Sequence, residues 1–275
     1  MSVGTLYIVA TPLGNLEDVT LRALRVLRET PLIACEDTRR TAKLLNRYGI
    51  RTPMTILHDH NKAHAVPRLL RRLRDGESVA LVSDAGTPGI SDPGYELVRD
   101  AAAGGGAVEV IPGPSALVAA LVVSGLPTDR FAFEGFPPNR PVRRRKALAA
   151  LASEPRTMIF YEAPQRIAGF LADAVGAFGE RRACVVRELT KVHEEILRGT
   201  LPGLLDEIAG REHVPGEITV VIAGAPKRTG GSVEEIVRAA LEDAPGSSRD
   251  LAREVAERTG VSRKEAYDEI LRQRK

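Results

Sequence analysis

The segment SDAGTPGISDPG at 83–94 concentrates residues suited to holding a small ligand. Gly86, Gly89 and Gly94 let the backbone close on a ligand, Pro88 and Pro93 stiffen it, and Asp84 and Asp92 supply acceptors. Bare, rigid backbone of this kind suits a planar or zwitterionic molecule. TPLGN at 11–15 offers Gly14 for close approach and Asn15 as a helix cap. PGPSA at 112–116 sets Ser115 at a helix start, where backbone amides can face a ligand.

A second set of residues could move protons. Glu36, Asp37, Thr38 and Arg39 follow one another, and adjacent carboxylates raise each other's proton affinity. The same tetrapeptide can equally be structural, with Asp37 or Thr38 capping a helix and Arg39 pairing a carboxylate. His58-Asp59-His60 could bond a substrate, but alternating positions do not make a metal ligand set, so no metal is expected. Glu162 in FYEAP, and Glu188 and Lys191 in RELTK, end apolar runs in the later part of the chain. No G-x-G-x-x-G follows the first apolar run and no G-x-x-x-x-G-K-[ST] occurs, which weakens nicotinamide and phosphoryl-transfer chemistry. G-x-S-x-G is absent, so Ser115 lacks the setting of a nucleophile.

The elements that must position these loops alternate. TLYIVA (5–10), PLIAC (31–35), MTIL (54–57), SVALVS (78–83) and VEVI (108–111) read as strands. Stretches 19–29, 38–48, 63–74 and 94–103 carry apolar residues at three- and four-residue spacing and read as helices. That order predicts a mainly parallel sheet covered on both faces, with ligands at the carboxyl ends of its strands. A second unit starts near Pro114, with a helix at 115–124. Strands follow at 131–135, 156–161, 183–188, 194–198 and 217–224, with helices after Pro164 and near 201–209. The expected domains are 1–113, 114–226 and 231–275, with a short hinge at PGPSA and a linker at 225–230. The last unit reads as a small three-helix module, including a helix, a Thr-Gly-Val turn and a second helix capped by Ser262.

Length and composition set the outer bounds. A chain of 275 residues with 43% hydrophobic content can bury two ordinary cores, and 4% aromatic content without Trp means these are aliphatic. No apolar run is long enough to span a bilayer, and no basic stretch leads into an apolar N-terminal core, so a cytoplasmic protein is expected. Cys35 and Cys184 lie in strand-like runs and read as buried small hydrophobes. Net charge is only +3, yet residues 1–75 carry 13 Lys/Arg against 7 Asp/Glu. Arg140, Arg143, Arg144, Arg145 and Lys146 form a second basic cluster, which reads either as a polyanion contact or as a solvated helix face. The 231–275 tail has 9 basic and 10 acidic residues and no net positive field.

In order along the chain stand TPLGNLEDVTLRAL, ACEDTR, LHDHN, SDAGTPGISDPG, PGPSA, FEGFPP, FYEAPQRI, RELTK and a GE pair before strand 218–223. Together, from about Gly4 to Gly224, they resemble the small-subunit ribosomal RNA methyltransferases of the tetrapyrrole methylase superfamily. The resemblance implies an α/β fold of two lobes enclosing a cofactor cleft, plus a small C-terminal helical module. It implies S-adenosylmethionine as cofactor, 2'-O-methylation of a cytidine in small-subunit (16S) ribosomal RNA, the RNA or the 30S subunit as partner, and a homodimer. By motif, Leu13, Asp84, Thr87, Ser115, Ala116, Glu162, Glu188 and Glu217 become cofactor-cleft residues. Glu36 or Asp37 becomes the proton acceptor, with Arg39 placing a phosphate and Lys191 orienting the hydroxyl. Two other readings stay open: C-methylation of a tetrapyrrole, and RNA binding in ribosome assembly without turnover.

Overall fold

The structure is a computed structural model that describes residues 3–226, 232–243, 247–259 and 261–274. Its first sheet contains β1 (Thr5–Val9), β2 (Leu32–Cys35), β3 (Met54–Ile56), β4 (Val79–Val82) and β5 (Ala107–Ile111), all parallel, in the order β3-β2-β4-β1-β5. Alternate residues face opposite layers. Leu6, Ile8, Leu32 and Ala34 pack with α3 (Lys62–Arg74) and α4 (Tyr95–Ala103). Val9, Ile33, Cys35, Ala80 and Val82 pack with α1 (Leu21–Glu29) and α2 (Thr38–Arg47). Burial on both faces is why β2 and β4 are apolar at every position.

The second sheet contains β6 (Phe131–Gly135), β7 (Thr157–Glu162), β8 (Arg182–Arg187), β9 (Glu195–Thr200) and β10 (Ile218–Ile222), in the order β6-β7-β10-β8-β9. Only β6 and β7 run parallel; β10 is antiparallel to both β7 and β8, and β9 to β8. Helices α6 (Pro141–Ala150), α7 (Ile167–Phe178) and α8 (Leu201–Ala209) cover one face through Leu148, Phe170, Leu171 and Leu204. The other face is closed by α5 (Ala116–Ser124) through Leu117, Ala120 and Leu121.

Beyond Pro226, α9 (Val233–Asp243), α10 (Ser248–Thr259) and α11 (Arg263–Gln273) bury Ile236, Val237, Leu251, Val255 and Ile270 among themselves. Ser232 and Glu235 form a reciprocal capping box before α9, and the Ser262 hydroxyl accepts from Glu265 N–H at the start of α11. Of the expected linker, 227–230 lie outside the described residues, as do position 231 and Gly260 of the expected Thr-Gly-Val turn. Among the described residues no helix is long and apolar enough to cross a membrane.

Both cysteines are fully buried, and burial pushes their thiols up. A thiol reagent such as Ellman's reagent is expected to label neither in the native protein and both in 8 M urea; rapid native labelling would contradict the packing of β2 and β8.

Candidate active site

Strand register explains why distant motifs meet. Val9 pairs with Val82 on one side and Ile111 on the other, so the loops after β1, β4 and β5 leave the first sheet at one level. In the second sheet Ile218 at the start of β10 pairs with Glu162 at the end of β7 and with Arg187 at the end of β8. The FYEAP, RELTK and GE motifs therefore share one edge. The two edges bound a cavity of about 490 Å³. Its first wall holds Leu13, Glu36, Arg40, Asp84, Thr87 and Asp92; its second holds Ser115, Ala116, Tyr161, Glu162, Glu217 and Thr219. The walls are tied directly: Asn15 N–H donates to Thr190 Oγ1 at 3.2 Å, Thr87 Oγ1 donates to the Pro114 carbonyl at 3.1 Å, and the Lys191 stem lies against Gly14.

Seven of the eight expected cofactor-cleft residues line this cavity: Leu13, Asp84, Thr87, Ser115, Ala116, Glu162 and Glu217. Glu188 stands behind them, its Oε1 accepting from Glu217 N–H at 2.9 Å and from Lys191 Nζ at 2.8 Å. Among the expected catalytic residues only Glu36 lines the cavity. Asp37 is the N-cap of α2: its Oδ1 accepts from Arg39 N–H at 2.8 Å and its carboxylate is gripped by the Arg39 guanidinium. Those bonds hold its carboxyl at about 2, far too acidic for an effective base at neutral pH. The Arg39 side chain is 88% exposed and points away from the lining. Lys191 bridges Glu188 and Glu217; burial alone would lower its proton affinity, but those two carboxylates raise it, so it stays charged.

The basic cluster divides. Arg140, Arg143, Arg145 and Lys146 are exposed on and before α6. Arg144 is buried and donates to Asp173 on α7 at 2.8 Å, so it clamps two helices and cannot face a phosphate. The periodicity held the signal for this: Arg144 and Leu148 are four apart and share the inward face.

Arg40 and Tyr161, which carry no role on sequence, and Asp92, which reads there only as an acceptor, stand out in the cavity. Arg40 Nε lies 3.4 Å from Asp84 Oδ2, which also accepts Asp37 N–H through Oδ1. Tyr161 sits edge-on to Phe133 and Phe136, and burial, reinforced by Asp92, pushes its phenol up to about 12. Asp92 is pushed up to about 7 by burial and then by the nearby charge of Glu36. Glu36 and Asp84 are also raised, again first by burial.

Residues 5–205 match the model of the Tetrapyrrole (Corrin/Porphyrin) Methylases. The chain belongs to this family. It is 50% identical over 269 residues to the ribosomal RNA small subunit methyltransferase I of Xylella fastidiosa strain Temecula1, covering 96% of this chain and 98% of that one. The enzyme of the same name from Pseudomonas aeruginosa is 47% identical, covering 98% of each chain. Among solved structures, the uroporphyrin-III C-methyltransferase of Thermus thermophilus complexed with S-adenyl homocysteine superposes with a TM-score of 0.56 at 22% identity, over 79% of this chain and 97% of that one. At that identity the likeness is one of fold.

Proposed function

We propose that this chain transfers a methyl group from S-adenosylmethionine to the ribose 2'-hydroxyl of a cytidine in small-subunit ribosomal RNA. The observation that carries this is the near-full-length identity of about half to two methyltransferases named for that RNA. The cavity suits a cationic sulfonium donor. Glu36, Asp84, Asp92, Glu162 and Glu217 line it, while the cation on its wall is Arg40, already beside Asp84. Among the described residues Oε2 of the buried Glu162 has no hydrogen-bond partner, which leaves an acceptor suited to a ligand N–H or O–H. Leu13, Thr87, Ser115, Ala116, Glu162 and Glu217 would hold the donor, with Asp84 toward its polar end and Glu188 bracing Glu217. When bound, the donor supplies an electrophilic methyl carbon.

The protein's own contribution is alignment. Holding oxygen, carbon and sulfur in line can lower the barrier by on the order of 7–11 kcal/mol in favourable cases. Tyr161 and Phe136 give the cavity an aromatic side. The exposed Arg140, Arg143, Arg145 and Lys146 are proposed to meet phosphates. The triple variant Arg143→Glu, Arg145→Glu, Lys146→Glu is expected to weaken 30S binding and to reduce the slope of log affinity against log salt by about 2. Its affinity for S-adenosylhomocysteine should not change. An unaltered slope would clear α6 of any contact with RNA.

Three further points belong to this reading. The chain works in the cytoplasm, as domains 1–113, 114–226 and 231–275, and as a homodimer. The apolar helix α5 leaves Val118 and Val122 exposed, and β5 leaves Val108 and Val110, which supports burial against a second copy. The deciding experiment is transfer of labelled methyl to 30S subunits and to free small-subunit RNA, with nucleoside analysis. 2'-O-methylcytidine is expected. Transfer to a tetrapyrrole instead, or binding of RNA without turnover, would overturn the reading.

A further inference from the structure

We propose that Asp92 is the group that accepts the proton of the methylated hydroxyl, with Glu36 lining the same cavity. The inference rests on the reading that the substrate is a ribose hydroxyl.

The other carboxylates at the cavity are committed elsewhere. Asp84 accepts Asp37 N–H and faces Arg40. Glu162 is held by Arg166 and by its own neighbour's N–H. Glu217 is paired with Lys191. Glu36 and Asp92 line the cavity with no ion pair among the described residues, and each raises or is raised by the carboxylates around it.

The backbone around Asp92 is set for placement. Ser91 occupies the left-handed region at φ 61°, an uncommon state for a residue with a side chain, and Pro93 restricts the other side. The loop runs close to the second sheet: a Cβ added at Gly135 would stand 3.5 Å from Ser91 Oγ. The groups facing Asp92 are Glu36 at the end of β2, Asp84 in its own loop, Glu217 before β10, the Ser83 hydroxyl and the Tyr161 phenol on β7. Burial first, and then the charges of Glu36, Asp84 and Glu217, favour its protonated form, and the Ser83 hydroxyl opposes them. A carboxyl that titrates near neutral pH is suited to taking a proton from a weakly acidic hydroxyl.

The step balances. The hydroxyl oxygen bonds to the methyl carbon as the carbon–sulfur bond breaks, the bonding pair stays on sulfur, and the hydroxyl proton passes to the Asp92 carboxylate. One positive and one negative charge in the cavity disappear together. The proton then leaves to water.

The test is Asp92→Asn beside Glu36→Gln, each assayed with 30S subunits from pH 5.5 to 9. Wild-type kcat/KM is expected to rise with pH through a limb near 7. Asp92→Asn should lose about 100-fold or more in kcat together with that limb, while its affinity for S-adenosylhomocysteine stays as in wild type. Glu36→Gln should keep the limb but move it to lower pH.

A second readout needs no turnover. The folded chain holds the Asp92 proton between the ordinary value of 3.8 and about 7, where the unfolded chain has released it. Asp92 therefore makes the protein less stable as pH rises through that window. The stability of Asp92→Asn relative to wild type should grow from pH 4 to 7 and then level off. If Asp92→Asn transferred methyl at the wild-type rate with the limb intact, or lost activity only in step with ligand affinity, the assignment would be overturned. A wild-type protein inert toward every RNA would overturn the substrate reading, and this inference with it.

Discussion

Replacing Glu162 with alanine is expected to cost about 3 kcal/mol of stability and to remove measurable binding of S-adenosylhomocysteine. The Glu162 side chain is wholly buried at the end of β7, where Oε1 is ion-paired with Arg166 Nη2 at 2.5 Å and accepts from Ala163 N–H at 2.7 Å. Truncation leaves the Arg166 guanidinium without its counter-ion, and Arg166 is only 21% exposed. Breaking a buried pair from one side costs roughly 3–5 kcal/mol, and residual access to water puts this case at the lower end. For a chain of this size that corresponds to a melting temperature lower by roughly 6–10 °C.

The ligand effect has a separate cause. Oε2 is a buried acceptor without a hydrogen-bond partner among the described residues, so alanine removes an atom free to meet a ligand donor. Glu162→Gln separates the two effects. It retains an acceptor for Ala163 N–H and fills the same volume, so it should recover part of the stability. The lost charge still weakens the hold on Arg166 and the cationic donor. Differential scanning fluorimetry and calorimetric titration report the two quantities independently. An alanine variant melting within roughly 2 °C of wild type and binding normally would mean that Glu162 is a bystander.

What the sequence made legible was whatever depends on local pattern. The runs LYIVA and VALV are apolar because β1 and β4 lie inside a sheet covered on both faces, and the Gly- and Pro-rich loops mark where those strands end. Strand direction in the second sheet was not legible. β10 and the ACVV centre of β8 are as apolar as the parallel strands, so that pattern does not report that they run antiparallel. Register was equally hidden, and register is what brings Glu162, Arg187 and Ile218 into one row.

The site residues divide along the same line. Leu13, Thr87 and Ser115 could be assigned because their motifs are local. Asp37 offered two roles on sequence, and only the bonds to Arg39 show that it caps a helix. Asp92, in the most conspicuous motif of the chain, reads on sequence as a ligand acceptor and not as a base. Its raised proton affinity comes first from burial and then from Glu36, Asp84 and Glu217, and all of these arise only in the fold.

Gly216→Ala is expected to damage the same cavity from the opposite side, through a residue with no chemistry of its own. Gly216 has φ +94°, outside what L side chains comfortably adopt, and an added Cβ would stand 2.4 Å from the Glu188 carboxyl group. The backbone strain costs about 1–3 kcal/mol. The clash is relieved by moving Glu188, whose side chain can swing but not for free: its Oε1 holds both Glu217 N–H and Lys191 Nζ. Glu188 is itself left-handed at φ 51°, a conformation maintained in part by its N–H bond to the Glu217 carbonyl. Once its carboxylate is displaced, Lys191 loses one of two anchors, and the contact of its stem with Gly14 across the cavity loosens. A hydrogen bond to a charged group is worth roughly 1.5–3 kcal/mol, so S-adenosylhomocysteine affinity should fall by at least about tenfold. If the damage runs through Glu188, the effects of Gly216→Ala and Glu188→Ala will not add, and a double-mutant cycle will show a coupling of about 1–2 kcal/mol. Additive losses would mean that strain at position 216 acts alone and that Glu188 braces nothing.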